Sequence, residues 1–315
     1  MAQVMTRVDV PADVPSSEQA RYEENYQAIT KGTGRLMLFA GDQKVEHLND
    51  DFYGALSSGE AIHPDDADPE HLFRIAAQGV IGCFATQFGL IARYGRDYAS
   101  VPYLVKLNSK SHLIKTKQRD PRSLGWVTVD DALVLRESGL NVVGVGYTVY
   151  LGSEFESEQM REAAQACLQA HRNGMVCVVW IYPRGAAVPD EFDPHLIAGA
   201  TGLGATLGAD FCKVNYPKPK EGSPAEAFKE AVKAAGRTRV ITAGGSSVDE
   251  RKFLQTLHDQ IFISGAAGSA TGRNIHQKSL PEAVRMTKAI SAITYGGKTV
   301  DEAIAVFEGR EDFSA

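Results

Sequence analysis

The stretch GADFCKVNYPKP, residues 208–219, carries a lysine in the middle of an apolar run. Ala209, Phe211 and Val214 are apolar, Cys212 and Val214 flank Lys213, and Pro217 and Pro219 end the run. A short run of this kind, nearly continuous in apolar residues, reads as a strand buried on both faces, as in parallel sheets. Seven other runs share its character: RLMLFAGDQ (35–43), GVIGCFATQ (79–87), VPYLVKLNS (101–109), NVVGVGYTVY (141–150), MVCVVWIYPRG (175–185), RVITAGGSS (239–247) and QIFISGAAG (260–268).

Stretches with helical spacing separate most of these runs. SEQMREAAQACLQAHRNG precedes the fifth, with Met160, Ala163, Ala164, Ala166, Cys167 and Leu168 on one broad apolar face. SPAEAFKEAVKAAG precedes the seventh, with Ser223 as N-cap and Glu226 three residues on, a capping-box pattern. Eight buried strands alternating with helices predict an α/β fold of the (β/α)8 TIM-barrel type, and the length of 315 residues suits one such barrel. An open dinucleotide-binding sheet would want G-x-G-x-x-G after its first strand, and AGDQKVEH does not supply it. The expected organisation is an N-terminal helical extension over 1–34, a single barrel domain over 35–296, and a helical tail over 297–315.

Composition narrows the function. The chain is 43% hydrophobic and 23% charged with a formal charge of −6, which argues against nucleic acid or an anionic membrane as the main partner. The N-terminus lacks an apolar signal core, and no apolar run approaches the ~20 residues of a membrane span, so a cytoplasmic location is expected. The four cysteines form no C-x-x-C pair and read as reduced, buried thiols, Cys212 included.

In a barrel of this type, chemistry sits at the C-terminal ends of the strands. The first run ends in Asp42, followed by Glu46 and His47; the third carries Lys106 and Asn108; the fourth ends in Thr148 and Tyr150. The fifth carries Trp180, Tyr182 and Arg184 on one parity, and the sixth carries Lys213 and Asn215. Each alone has an ordinary structural reading as an ion pair or a satisfied core group; together they mark one end of one barrel. The last two runs end in AGGSS (243–247) and GAAGSATGR (265–273), where glycines let backbone N–H groups approach an anion. A phosphorylated substrate is expected there.

A free lysine has a pKa near ~10.4, and burial lowers it. Its neutral amine attacks a ketone, and loss of water leaves an iminium that withdraws electrons from the neighbouring carbon–carbon bond. Lys213 suits that chemistry. Lys106 would depress its pKa or hold a substrate hydroxyl, Tyr182 would exchange a proton with the leaving aldehyde, and Asp42 would handle protons as the carbinolamine forms.

In order along the chain, GDQKVEHLN, LVKLNS, VVWIYPRG, GADFCKVNY, ITAGGSS and GAAGSATGRNIHQ resemble the archaeal-type class I fructose-bisphosphate aldolases, a Schiff-base family also found in bacteria. The resemblance implies Lys213 as the Schiff-base lysine, Tyr182 as proton donor and acceptor, and Asp42 as the first-strand carboxylate. It further implies His47, Lys106, Trp180 and Arg184 as substrate-binding, with Gly244, Gly245, Ser246, Gly268 and Arg273 in the phosphate-binding turns. It implies reversible cleavage of fructose 1,6-bisphosphate with no metal or other cofactor, and a homo-oligomer. Relatives commonly read DHG after the first strand; here Gln43 and Lys44 replace the His-Gly pair, and Lys44 reads either as a ligand to a second phosphate or as a solvated side chain.

Three rival readings stand beside this one. A metal-dependent aldolase needs clustered histidines, and the eight here show no H-x-x-H or H-x-x-x-H spacing. Another Schiff-base barrel would act on a different phosphorylated ketose or keto compound. A non-catalytic sugar-phosphate sensor would bind phosphate without a reactive amine. The basic stretch 109–126, with Lys110, Lys115, Lys117, Arg119 and Arg122, reads either as a cover for an anionic substrate or as a solvated loop or subunit contact.

Overall fold

A computed structural model describes residues 7–47, 49–56, 59–111, 120–246 and 248–315. Eight strands are present: β1 Leu36–Ala40, β2 Cys83–Gln87, β3 Tyr103–Lys106, β4 Val142–Leu151, β5 Val176–Pro183, β6 Phe211–Val214, β7 Arg239–Ala243 and β8 Gly268–Thr271. They pair in chain order, all parallel, and β8 returns to β1 to close the barrel. This is the (β/α)8 fold expected from the alternation of apolar runs and helical stretches.

The eighth strand lies later than the sequence placed it. QIFISGAAG was read as a strand, but Gln260, Ile261 and Phe262 finish the helix Glu250–Phe262. Ile261 continues the buried face that Phe253, Leu254 and Leu257 begin, so the apolar signal belongs to a helix. The true β8 reads GSAT and has no large apolar residue to announce it. Gly268 opens it at φ +124, paired with Leu36, the first residue of β1. A Cβ there would lie 2.0 Å from the Leu36 carbonyl oxygen, so barrel closure at this seam requires glycine.

Strand parity sorts the side chains. Met37, Phe39, Val105, Val179, Cys212 and Val214 face the surrounding helices. Leu36, Leu38, Ala40, Leu104, Val176, Val178, Trp180, Phe211 and Ile241 fill the interior. Continuing the inward parity beyond Leu104, Trp180 and Phe211 delivers Lys106, Tyr182 and Lys213 to the C-terminal mouth.

The opposite end of the barrel is closed by the predicted N-terminal helix, Gln19–Thr30. Tyr22 and Ile29 join the interior cluster, and Tyr26 stacks on Phe211 with ring centroids 5.6 Å apart. Tyr22 donates a 2.5 Å hydrogen bond to Asp210, whose other carboxylate oxygen meets His171 at 3.2 Å. His171 also meets Asp13 at 2.9 Å, so one buried imidazole joins the N-terminal segment to the base of β6. At the C-terminus, Thr299 and Glu302 form a capping box on the helix Val300–Phe307. The box expected at Ser223 does not form: Ser223 is the N-cap without a side-chain bond, and Glu226 pairs with Lys229 instead.

Candidate active site

A cavity of about 640 Å³ opens at the C-terminal mouth of the barrel. Its lining includes Glu46, His47, Tyr150, Tyr182, Arg184, Lys213, Asn215, Gly244, Gly245, Ser246 and Arg273. Asp42, Lys106 and Trp180 stand behind that lining, each at most 1% exposed.

Two lysines meet over the Trp180 indole. The Lys106 ammonium lies 4.1 Å and the Lys213 ammonium 5.1 Å from the ring centroid. Room for this arrangement comes from Gly146 on β4, where a Cβ would lie 2.5 Å from the Trp180 ring. Lys106 donates to Thr148 Oγ1 (2.5 Å) and forms ion pairs with Asp42 (3.5 Å) and Glu46 (3.7 Å). Among the described residues Lys213 has no ion pair or hydrogen bond. Burial lowers its pKa, opposed by Asp42 and Glu46 and reinforced by Lys106 and Arg273. Burial raises the Tyr182 phenol well above its ordinary range, and Glu46 and Asp42 raise it further. The two lysines therefore differ in kind: one is bound in an ion-pair cluster, and the other is buried with no ion pair or hydrogen bond among the described residues.

Buried polar atoms without a hydrogen-bond partner concentrate here. Among the described residues they include both Asp42 carboxylate oxygens, Gln43 Oε1, Trp180 Nε1 and Asn215 Nδ2. A buried polar atom left unpaired costs about 1–3 kcal/mol, so such a concentration marks a place where a polar ligand completes the bonding. Three other polar groups of the mouth are engaged. Asn108 donates to the Thr148 carbonyl at 2.8 Å and accepts from its N–H at 2.7 Å, fixing β3 against β4. Arg184 makes two bonds to Glu191, of 2.8 and 2.5 Å. His47 bonds to Asp51, which also lies 3.5 Å from Arg273.

Gly244, Gly245 and Ser246 follow β7 at the mouth, as expected. They do not open directly into a helix, because the next one starts at Glu250 and its N-cap is the Asp249 carboxylate. Asn274 holds the turn: its Nδ2 donates to the carbonyls of Gly244 (3.0 Å) and Ser246 (3.1 Å), and its Oδ1 accepts from Val248 N–H (3.2 Å). Gly268 does not join this group. It sits at the start of β8, and the shift of that strand toward the C-terminus carries it to the other end of the barrel.

Lys44 fits neither of its two sequence readings. It turns away from the mouth, donates to the Ala67 carbonyl at 2.8 Å and lies 4.2 Å over the Phe52 ring. Of the basic stretch, Arg122 pairs with Glu158 at 2.9 Å. Lys115, Lys117 and Arg119 lie outside the described residues, as does Ser247. Cys212 faces the helices, and burial pushes its thiol well above the ordinary range.

Two residues have no role assigned to them from the sequence, although Glu46 is named after Asp42 at the end of the first run. Glu46 stands one helical turn after Asp42, on the short helix Gln43–Glu46. An i, i+4 spacing after a strand end would have placed both carboxylates on one face. Asn274 had no signal beyond its position beside Arg273. Among the described residues, no group of three or more His, Cys, Asp or Glu side chains is placed to hold a metal ion. No described helix is long and apolar enough to cross a membrane.

Known proteins share this architecture. A family profile described as "DeoC/LacD family aldolase" matches residues 36–278. The fructose-bisphosphate aldolase/6-deoxy-5-ketofructose 1-phosphate synthase of Methanocaldococcus jannaschii is 57% identical over 303 residues, spanning 96% of this chain and 95% of the relative. The solved structure of the fructose-bisphosphate aldolase from Slackia heliotrinireducens is 56% identical with a TM-score of 0.94, covering 98% of this chain and 96% of that one. An archaeal fructose-1,6-bisphosphate aldolase, solved with its catalytic lysine covalently bound to the carbinolamine intermediate, is 31% identical with a TM-score of 0.74, covering 87% of this chain and 100% of that one.

Proposed function

The chain belongs to the DeoC/LacD family of aldolases, which are carbon–carbon lyases, and from that premise we propose that it is a class I fructose-bisphosphate aldolase. It interconverts fructose 1,6-bisphosphate with dihydroxyacetone phosphate and glyceraldehyde 3-phosphate. The observation that carries this reading is the Lys213 amine, buried and unpaired beside the ion-paired Lys106.

In cleavage, Lys213 Nζ adds to C2 of the open-chain ketose, and loss of water gives the iminium. The C3–C4 bond then breaks, its electron pair passing to C3 to form the enamine, while the C4 hydroxyl proton passes to Tyr182 in its phenolate form, the form that the positive charge of the iminium favours. Glyceraldehyde 3-phosphate leaves, the Tyr182 phenol gives that proton to C3, and water hydrolyses the iminium to release dihydroxyacetone phosphate. In condensation the Tyr182 phenol, whose raised pKa keeps it protonated, hydrogen-bonds the incoming aldehyde oxygen and yields its proton as the bond forms. The backbone of Gly244, Gly245 and Ser246, with Arg273, holds the C1 phosphate. The imine is formed by the protein's own amine, and this sequence of steps uses no metal or other cofactor. A homo-oligomer is the assembly expected for it.

A second reading concerns the other end of the substrate. Arg184 is already matched by Glu191, and His47 by Asp51. An arginine occupied in this way favours a ketose 1-phosphate whose far end is uncharged, in keeping with the second activity in the name of the M. jannaschii relative.

The test is intact-mass spectrometry and peptide mapping after dihydroxyacetone phosphate and sodium borohydride are added. An adduct on the Lys213 peptide, absent in Lys213→Met, is the expected result; binding without an adduct points to a sensor. Cleavage of fructose 1,6-bisphosphate then examines the far end. Under the first reading Arg184→Ala raises KM for the bisphosphate by about tenfold, the cost of one charge-assisted contact. Under the second it leaves that KM unchanged.

A further inference from the structure

Glu46 holds a position that no other carboxyl group in the site shares. Among the described residues it is the one carboxyl group lining the mouth cavity. Asp42 is fully buried and stands behind it, with Lys106. The Glu46 side chain keeps 14% exposure, accepts a 2.9 Å hydrogen bond from Ser109 Oγ, and lies 3.7 Å from the Lys106 ammonium. Asp42 is the closer partner of that ammonium, at 3.5 Å. One cation thus serves two carboxyl groups, and the nearer group is the one without access to the cavity. The ionisable groups facing Glu46 are Asp42 after β1, Lys106 on β3, Tyr150 on β4, Tyr182 on β5 and Lys213 on β6.

We propose that Glu46 is the general acid of the imine-forming step, donating the proton with which the carbinolamine hydroxyl departs as water. This rests on the aldolase reading above. After Lys213 Nζ has added to the ketone, the carbinolamine carries a hydroxyl on C2. Glu46 gives its carboxyl proton to that oxygen, the C–O bond breaks with its electron pair going to the departing water, and the nitrogen lone pair forms the C=N bond. A neutral carbinolamine and a neutral acid become an iminium cation, a carboxylate and water, so the charge created on the substrate is matched at once by the charge left on Glu46. Hydrolysis of the second iminium runs the same steps backward. Burial, then Asp42, raises the Glu46 pKa, against the opposing pull of Lys106 and Lys213, which favours the protonated acid that this role needs. Asp42 keeps the closer ion pair with Lys106 and exchanges no proton with the substrate.

The test follows the carbonyl oxygen. Dihydroxyacetone phosphate labelled with oxygen-18 at C2 loses its label to water each time the carbinolamine dehydrates and reforms. Wild-type enzyme is expected to exchange with a bell-shaped pH profile, rising as Lys213 becomes neutral and falling as Glu46 ionises. Glu46→Gln is expected to slow exchange ~100-fold or more and to lose the descending limb while keeping the ascending one. Glu46→Asp, which retains an acid, is expected to recover part of the rate and the limb. If Glu46→Gln exchanges at the wild-type rate, or is slow but keeps the descending limb, Glu46 is not the acid. If the wild type itself exchanges no label, the aldolase reading fails and this inference fails with it. Lys213→Met, which forms no carbinolamine, sets the background.

Discussion

Replacing Lys106 by methionine removes the cation that separates the two lysines of the site in kind. Lys106 and Lys213 stand 4.1 and 5.1 Å from the centroid of one indole, so their ammonium nitrogens are no more than about 9 Å apart. At that separation and an effective dielectric constant of about 20, two like charges repel by ~1.8 kcal/mol or more, slightly over one pKa unit. The substitution also leaves the Asp42 carboxylate with Lys213 as the other ammonium of the cluster. Both effects favour protonated Lys213, so its lowered pKa must rise. The neutral fraction at pH 7 then falls about tenfold, and imine formation falls with it. The assay is reductive methylation with formaldehyde and cyanoborohydride across pH, with the Lys213 peptide quantified by mass spectrometry, because it requires only a neutral amine. The midpoint for Lys213 should move up by about one unit or more in Lys106→Met. Lys106→Arg, which keeps the charge, should stay close to wild type. A midpoint unchanged or lowered in Lys106→Met would refute the electrostatic argument, whatever happened to turnover. Stripping two buried carboxyl groups of their partner should also destabilise the fold by about 3–5 kcal/mol, so circular dichroism must accompany the titration.

Two other perturbations test the supports of the site. Burial alone would lower the His171 pKa, but its bonds to Asp210 and Asp13 lift it from 6.5 to about 9. A raised folded-state pKa contributes stability that is complete below pH 6.5 and disappears as pH rises through about 9. His171→Gln should therefore be less stable than wild type by roughly 3 kcal/mol at pH 6. The gap in urea denaturation should shrink by pH 10, and a constant gap would show that His171 contributes packing rather than charge. Asn274→Ala removes the bonds to Gly244 and Ser246. It should raise KM for phosphorylated ketoses ~10-fold while leaving borohydride trapping of unphosphorylated dihydroxyacetone unchanged. An equal loss on both would place Asn274 in the general fold rather than in a phosphate turn.

The barrel was legible because seven of its strands are bracketed by apolar runs that helical spacing does not explain. The eighth was misplaced for a physical reason. Its residues, Gly268 to Thr271, are small because the seam with β1 leaves no room for more, and the neighbouring apolar signal belongs to a helix face. At the site, Lys213 and Lys106 were legible as charges inside apolar strands. Glu46 was legible as a charge after Asp42 but not as a partner of Lys106, because the helix Gln43–Glu46 spans four residues and is too short to show a period. The His171 cluster was not legible either: it joins Asp13, Tyr22 and Asp210 across most of the chain, and no local pattern encodes that closure.

Residue type alone does not say which lysine suits the role of nucleophile proposed above. Both are lysines at the inward parity of a short strand, and both lie against the same indole. The difference is made by their neighbours around the barrel. β3 lies next to β2, and beyond it the turn after β1 brings Asp42 and Glu46 to the Lys106 ammonium, while β4 on its other side supplies Thr148. β6 lies between β5 and β7, where Trp180 and Ile241 are the register partners of Lys213 and neither can accept its proton. A closed sheet of fixed strand order thus gives one amine two carboxyl groups and gives the other an indole face and an aliphatic side chain. At Lys213 burial prevails and lowers the pKa against the pull of Asp42 and Glu46, while at Lys106 those carboxyl groups stand within 3.7 Å. Strand order, set by the fold as a whole, is therefore what separates the lysine proposed as nucleophile from the ion-paired one.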